Sequence, residues 1–242
     1  DFFIDIGANI GLISCQNGIF FKKVICFEPN PLCVQILKVN LEISLPPDIF
    51  TIYEYGLGEE SGTFNLYIPK HNWGGAFIDN DSNSYSKELL FLKDSSAKGN
   101  LDNYSVQKVR IESTNQSFDE VFRDLKSKGL RKGVIKLDVE GCELTILKGI
   151  AKELPSDFSL YVIFENLNKN FDFQLLTEQF PKRELKIYKL ERSIFSQISS
   201  NTMKFLYLIM GKSDKDLLVP LTKDNSVIGD IVLDLTNENP HQ

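Results

Sequence analysis

Histidine is scarce in this 242-residue chain: only His71 and His241 occur, beside one tryptophan, two methionines and four cysteines. Cys15, Cys26, Cys33 and Cys142 lack metal-type spacing and lie in apolar strand or helix patterns. Buried free thiols in a reducing, cytoplasmic compartment are therefore expected, not disulfides. An excess of positive charge is also missing. With 27 Lys and Arg against 33 Asp and Glu the net charge is −6, so nothing favours a polyanionic partner such as nucleic acid. Long apolar runs are absent as well. The longest, Met203–Met210 with Lys204 inside it, is strand-length, far short of the ~18 residues that span a bilayer. There is no signal peptide and no internal repeat. The first residue is Asp1 and a strand pattern follows at once, which leads us to expect that an upstream segment, with any targeting signal, is missing. What remains is a soluble, enzyme-sized domain long enough for a large core.

Strand and helix patterns alternate through most of the chain, which predicts an α/β fold with a mainly parallel sheet covered on both faces. Strands are expected at Phe2–Ile6, Lys23–Phe27 and Phe50–Tyr55, with helices at Ile10–Phe20 and Pro31–Leu45 between them. A glycine-marked turn, Gly56-Leu57-Gly58, closes the third strand. Glu59–Gly62 then reads as a tight turn into Thr63–Ile68, predicting a hairpin. From Pro69 to about Lys108 the sequence is polar, with one apolar patch at Leu89–Leu92. So long an unpatterned stretch reads as a functional or disordered loop. Alternation resumes with a strand at Val109–Ser113, a helix at Phe118–Leu125, a strand at Val134–Val139 and a helix at Cys142–Leu154. A strand at Leu160–Phe164 and a helix around Phe171–Phe180 follow, and Leu185–Leu190 with Met203–Met210 could form a closing antiparallel pair. Val227–Leu235 is strand-like but has no assignable place. Residues 1–211 are taken as the main domain, with the loop insertion at about 69–108, and 212–242 as a C-terminal extension.

Chemistry concentrates in two segments. Asp1–Gly11, DFFIDIGANIG, runs an apolar strand into a carboxylate, two glycines and an asparagine. Strand, glycine turn, helix is how a parallel sheet builds a cofactor site at a strand's carboxyl end. The spacing is GxxxG, not the GxGxxG of dinucleotide folds, and an acid at Asp5 suits a ligand carrying an ammonium group. That favours S-adenosylmethionine over NAD. Glu28, 23 residues on and at the second strand's tip, is placed to accept hydrogen bonds from ribose hydroxyls; its bland alternative is a solvated acid at a strand end. The second segment is Val134–Gly141, VIKLDVEG. Alternation puts Lys136, Asp138 and Glu140 on one strand face, where three charges need partners or ligands. Asp138 is the leading active-site acid, with Lys136 as its counter-ion. Glu143 reads as a structural acid in the first turn of the next helix.

DIGANIG, FEPNP, YGLGEESG and IKLDVEGCE, in that order, resemble the FkbM-type S-adenosylmethionine-dependent methyltransferases over roughly Asp1–Asn166. The resemblance implies a Rossmann-like class I fold, a mostly parallel seven-stranded sheet with an antiparallel final strand. It implies methyl transfer from S-adenosyl-L-methionine, usually to a hydroxyl oxygen. Asp5, Gly7, Ala8, Asn9 and Gly11 would hold the methionine part and Glu28 the ribose. Pro29 and Asn30 would shape that edge, the turn around Tyr55–Gly58, with Gly56 and Leu57, would lie near the adenine, and Asp138 and Glu140 would face the transferred methyl. The acceptor it implies is a hydroxyl of a polysaccharide or glycolipid sugar, or of a secondary metabolite.

His71-Asn72-Trp73-Gly74-Gly75-Ala76 also resembles a loop near the active site in that family. His71 could take the acceptor's proton or could simply be an exposed loop residue. Trp73 could stack on a ring or pin the loop by packing. Asp138, Glu140 and His71 are the candidate bases, in that order, with Glu165 a fourth. Asp138 with Glu165 and Asn166 could bind Mg²⁺ through oxygen ligands, but no compact ligand motif is present, so no required metal is expected. Ile78–Lys108 would serve as a lid or an acceptor-recognition loop, ordered when substrate binds. Two rival readings are a non-catalytic methyltransferase-like binding module and, on a similar fold, an NAD-dependent oxidoreductase.

Overall fold

Phe2–Ile6 is buried at all five positions, as a strand enclosed on both faces must be. In chain order this strand, β1, is followed by α1 (Leu12–Asn17), β2 (Lys23–Phe27), α2 (Pro31–Ser44), β3 (Phe50–Tyr53), β4 (Gly56–Gly58) and β5 (Gly62–Pro69). Then come β6 (Phe77–Ile78), β7 (Tyr104–Ser113), α3 (Thr114–Ser127), β8 (Lys132–Leu137), α4 (Glu143–Glu153) and β9 (Ser159–Asn166). The last elements are α5 (Phe173–Gln179), β10 (Lys186–Glu191), β11 (Leu217–Pro220) and β12 (Gly229–Leu235). The computed structural model describes residues 1–78, 83, 101–167, 173–181, 183–191, 217–221 and 228–236.

The large sheet has the order β11-β10-β12-β9-β8-β1-β2-β3. β3, β2, β1, β8 and β9 are parallel neighbours, while β12 runs antiparallel to both β9 and β10. The expected Rossmann-like α/β sheet is therefore present: seven strands with one reversed, and β11 added as an eighth at the edge. Helices cover both faces. Ile4, Ile6, Phe27, Ile135, Leu160 and Ile231 share one core with Phe118 and Phe122 of α3 and Ile146 of α4. The alternate residues Phe3, Val24 and Cys26 pack against Leu37 and Leu41 of α2. Phe2, Phe27, Phe118, Phe122, Phe158 and Phe164 are fully enclosed, each burial stabilising the fold by about 1.5–3 kcal/mol.

The helix ends follow from local chemistry. Asn30 caps α2 by accepting from the Leu32 amide at 3.1 Å, and Pro31 sits where a missing N–H costs nothing. α3 buries Phe118, Val121, Phe122 and Leu125, one face of a 3.6-residue repeat. It stops at Gly129, whose φ of +72° lets the Leu130 amide turn back to the Leu125 carbonyl at 2.9 Å.

Several expectations are corrected. Gly56–Gly58 is a strand, not a turn. The hairpin expected across Glu59–Gly62 does not form, because β7 lies between β4 and β5: Gly56 and Gly62 both face Ile111, from opposite sides. β7 starts at Tyr104, so the polar stretch ends before Lys108; its five added residues pair with Leu66–Pro69 and Asn65 of β5. β8 ends at Leu137, so Glu140 is not on its face. The antiparallel neighbours of β10 are β11 and β12, which brings two stretches of the expected C-terminal extension into the large sheet. Leu89–Leu92, Met203–Met210, His241 and most of the expected lid lie outside the described residues.

Candidate active site

The carboxyl ends of β1, β2, β3 and β8 are stitched together by main-chain bonds. The Gly7 and Ala8 amides donate to the Phe27 carbonyl at 3.0 and 3.1 Å, Glu28 N to Tyr53 O at 3.1 Å, and Asp138 N to Ile6 O at 3.0 Å. The chain turns here through Gly7, Asn9 and Gly11, all at positive φ. At Gly7 only glycine fits: φ is +77°, and a Cβ would stand 2.0 Å from the Asp138 carbonyl oxygen. Asn9, a residue that tolerates the left-handed region, is held by the Cys33 thiol donating to its Oδ1 at 3.2 Å. Asn40 donates to the Ile10 carbonyl at 2.7 Å and fixes the turn to α2.

Between this turn and the small sheet, β4-β7-β5-β6, lies a cavity of about 120 Å³. Gly7, Asn9, Glu28 and Asp138 supply its polar wall. Leu66, Phe77, Ile78 and Ile111 supply an apolar wall, with Pro29, Gly56 and Leu57 between them and Trp73 at the margin. Glu28 is 6% exposed and accepts from the Asn9 and Asn30 amides, each at 2.8 Å. Burial pushes its carboxyl up to about 7 against those two bonds.

Of the residues read from the sequence, the structure gathers Gly7, Asn9, Glu28, Pro29, Gly56, Leu57 and Asp138 around this one cavity. Asp5, Ala8, Gly11 and Asn30 stand behind it. Asp5 is buried on the α1 side, accepting from Ser14 Oγ at 2.7 Å and from Lys136 Nζ at 3.2 Å. Ala8 packs in the α2 core, Gly11 precedes α1, and Asn30 caps α2. Glu140 is buried in a left-handed turn, φ +53°, outside the cavity lining, and its carbonyl accepts from Asn83 at 2.9 Å. His71 is exposed and does not line the cavity, although Trp73, Gly74 and Ala76 beside it do. Glu143 accepts from the Gly141 amide at 3.2 Å, and burial pushes its carboxyl up to about 7. Glu165 pairs in register with Asp230, away from this cavity.

The sequence reading missed the apolar wall. Alternation along Thr63–Ile68 and Val109–Ser113 marks strands, but not that Leu66 and Ile111 would close over the glycine turn. Asp138 also borders a second cavity of about 560 Å³ on the α1 side of the sheet, and Glu165 lines this one with it, beside Phe3, Val134, Lys136 and Asp230. The four cysteines are free, and Cys26, Cys33 and Cys142 are buried. None of the described helices is long and apolar enough to cross a membrane.

The sequence pattern of the Methyltransferase FkbM domain matches residues 5–191. Methyltransferase sdnD of Sordaria araneosa is 28% identical over 161 residues, covering 63% of this chain and 61% of that protein's length. Among solved structures, methyltransferase FkbM from Methylobacillus flagellatus aligns over 76% of this chain and 39% of its own, with 16% identity and a TM-score of 0.42. The SAM-dependent methyltransferase from Agrobacterium tumefaciens aligns over 98% and 56%, with 6% identity and a TM-score of 0.42.

Proposed function

Because this chain belongs to the FkbM methyltransferase family, we propose that it transfers a methyl group from S-adenosyl-L-methionine to a hydroxyl oxygen. The acceptor we assign is a hydroxyl of a sugar in a polysaccharide or glycolipid, or of a secondary metabolite. The observation that carries the cofactor reading is the cavity itself, where a buried carboxylate, a glycine turn and an apolar wall meet at the strand ends. The residues fit the group. Glu28 can accept both ribose hydroxyls, Gly7 keeps the backbone open to close approach, and Leu57, Leu66 and Ile111 match a flat apolar base.

When bound, S-adenosylmethionine supplies a methyl carbon on a positively charged sulfur, a donor that is already activated. The chain's task is then mainly positioning, an effect worth up to about 7–11 kcal/mol when the geometry is good. Asp138 borders both cavities and is half exposed, so it is the carboxylate placed to take the hydroxyl proton from an incoming acceptor. His71 and Glu140 are secondary to it in this reading, as neither reaches the cavity wall. Trp73 lines the cavity and is partly exposed, and in this reading its ring is the surface on which the acceptor stacks.

Titration calorimetry with S-adenosylmethionine and S-adenosylhomocysteine, with NAD as control, tests the reading. Micromolar binding of both adenosyl compounds, weakened in Glu28→Gln, is expected. A folded protein that binds NAD instead, or none of the three, refutes it.

A further inference from the structure

We propose that Ser14, Asp5 and Lys136 form a buried polar chain that positions the Asp138 carboxylate, and that Asp5 influences the cavity only through Lys136. The proposal rests on the S-adenosylmethionine reading for what the cavity holds.

β1 and β8 pair in a register that sets Asp5 directly beside Lys136. Neighbouring residues in such a pair project to the same face, which puts the two side chains within reach of each other. The Asp5 carboxylate is 1% exposed, and both of its oxygens are used: Oδ2 by Ser14 Oγ and Oδ1 by Lys136 Nζ. No oxygen is turned toward the cavity, and Asp5 does not line it. The Lys136 ammonium then bridges onward to Asp138 Oδ2 at 3.3 Å. Burial works against both charges: it pushes the Asp5 carboxyl up, opposed by Lys136 and the Ser14 bond, and it works to lower the Lys136 ammonium, where Asp5 and Asp138 outweigh it and the net shift is upward.

Each member has a separate task. Lysine on its four-carbon stem tends to carry its charge out to water. Asp5, fixed by Ser14 from α1, gives the ammonium a reason to stay at the strand end. Lys136 in turn restricts the rotamers of Asp138, which directly follows β8 and has half its side chain in solvent. Removing one member of a buried ion pair destabilises the fold whatever the pair does for the cavity, so melting temperature does not report this role. Coupling between Asp5 and Asp138 in ligand affinity does, because their carboxylates share Lys136 as the bridge.

S-Adenosylhomocysteine is titrated into wild type, Asp5→Asn, Asp138→Asn and the double variant, and into the same set carrying Lys136→Met. Asp138→Asn is expected to weaken binding ~10-fold and Asp5→Asn ~5-fold, the scale of a lost charge-assisted bond. The double variant should be no more than ~2-fold worse than Asp138→Asn alone, since the effects are not independent. In Lys136→Met, Asp5→Asn should change affinity by less than ~2-fold, and Lys136→Arg should recover most of the loss. Ser14→Ala keeps every charge and serves if Asp5→Asn does not fold; it should weaken binding ~2–3-fold in wild type and leave Lys136→Met unchanged. An Asp5→Asn effect that multiplies with that of Asp138→Asn, or persists without Lys136, overturns the proposal. Wild type that binds no S-adenosylhomocysteine refutes the cofactor reading instead. The chain itself is then tested without ligand by the Asp138 carboxyl carbon resonance. It should move in both Lys136→Met and Asp5→Asn, and an unchanged resonance in Asp5→Asn overturns the proposal.

Discussion

Cofactor affinity should rise about tenfold between pH 6 and pH 8, and Glu28 should be the reason. Burial raises the Glu28 carboxyl to about 7. A ligand that donates two ribose hydroxyls to this group needs the ionised form, which the Asn9 and Asn30 amides already favour from behind. With a free-state value near 7, roughly one molecule in eleven carries the carboxylate at pH 6 and ten in eleven at pH 8. Apparent affinity scales with that competent fraction, so the dissociation constant should fall ~10-fold over those two units. The sign is fixed: binding weakens as pH falls, because protons and ribose hydroxyls compete for the same oxygens. Titration calorimetry of S-adenosylhomocysteine at pH 6, 7 and 8 reads the slope. Glu28→Gln should bind more weakly than wild type at pH 8 and show no slope, whereas Glu143→Gln should retain it, as Glu143 lies outside the cavity. Wild-type affinity flat within twofold, or a slope that survives in Glu28→Gln, would refute the assignment.

Two further predictions concern stability. Gly7→Ala combines a left-handed φ with a Cβ 2.0 Å from the Asp138 carbonyl. It should cost at least ~3 kcal/mol in urea unfolding and abolish S-adenosylhomocysteine binding; a loss under ~1 kcal/mol would show that the turn can relax. Glu143 has a folded-state value of about 7 against an ordinary 4.5, so the native state holds the extra proton between those limits. Its favourable contribution is complete below about pH 4.5 and is lost as pH rises through 7. Glu143→Gln should accordingly match wild type near pH 4 and be about 1–3 kcal/mol more stable at pH 8, after allowing for the weakened bond from Gly141. Equal stabilities at both pH values would contradict the burial argument.

Much of this architecture is legible in local chemistry. The α2 boundary follows from Asn30-Pro31, and α3 declares itself by the spacing of Phe118, Val121, Phe122 and Leu125. Gly7 and Glu28 could be placed at one ligand site because strand, turn, helix and strand leave few alternatives at a parallel sheet's carboxyl edge. Glu140 was misplaced for a definite reason. The alternation of Lys136 and Asp138 extends to it on paper, but the strand stops at Leu137 and the next turn is left-handed at Glu140 and Gly141.

By itself, then, the sequence determined the large α/β sheet, its order of motifs and the half of the cavity built from contiguous segments, since hydrophobic period, caps and glycine turns act over a few residues. Tertiary structure alone decided two things. One is the insertion of β7 between β4 and β5, which supplies the apolar wall. Three strands can pair in several orders, and the choice depends on contacts between residues some fifty positions apart, such as Gly58 O with Thr114 Oγ1. The other is the direction in which Asp5 points. FFIDI is buried on both faces, so no polar–apolar alternation marks which side meets the ligand; the pairing of β1 with β8 sets its carboxylate beside Lys136 and away from the cavity.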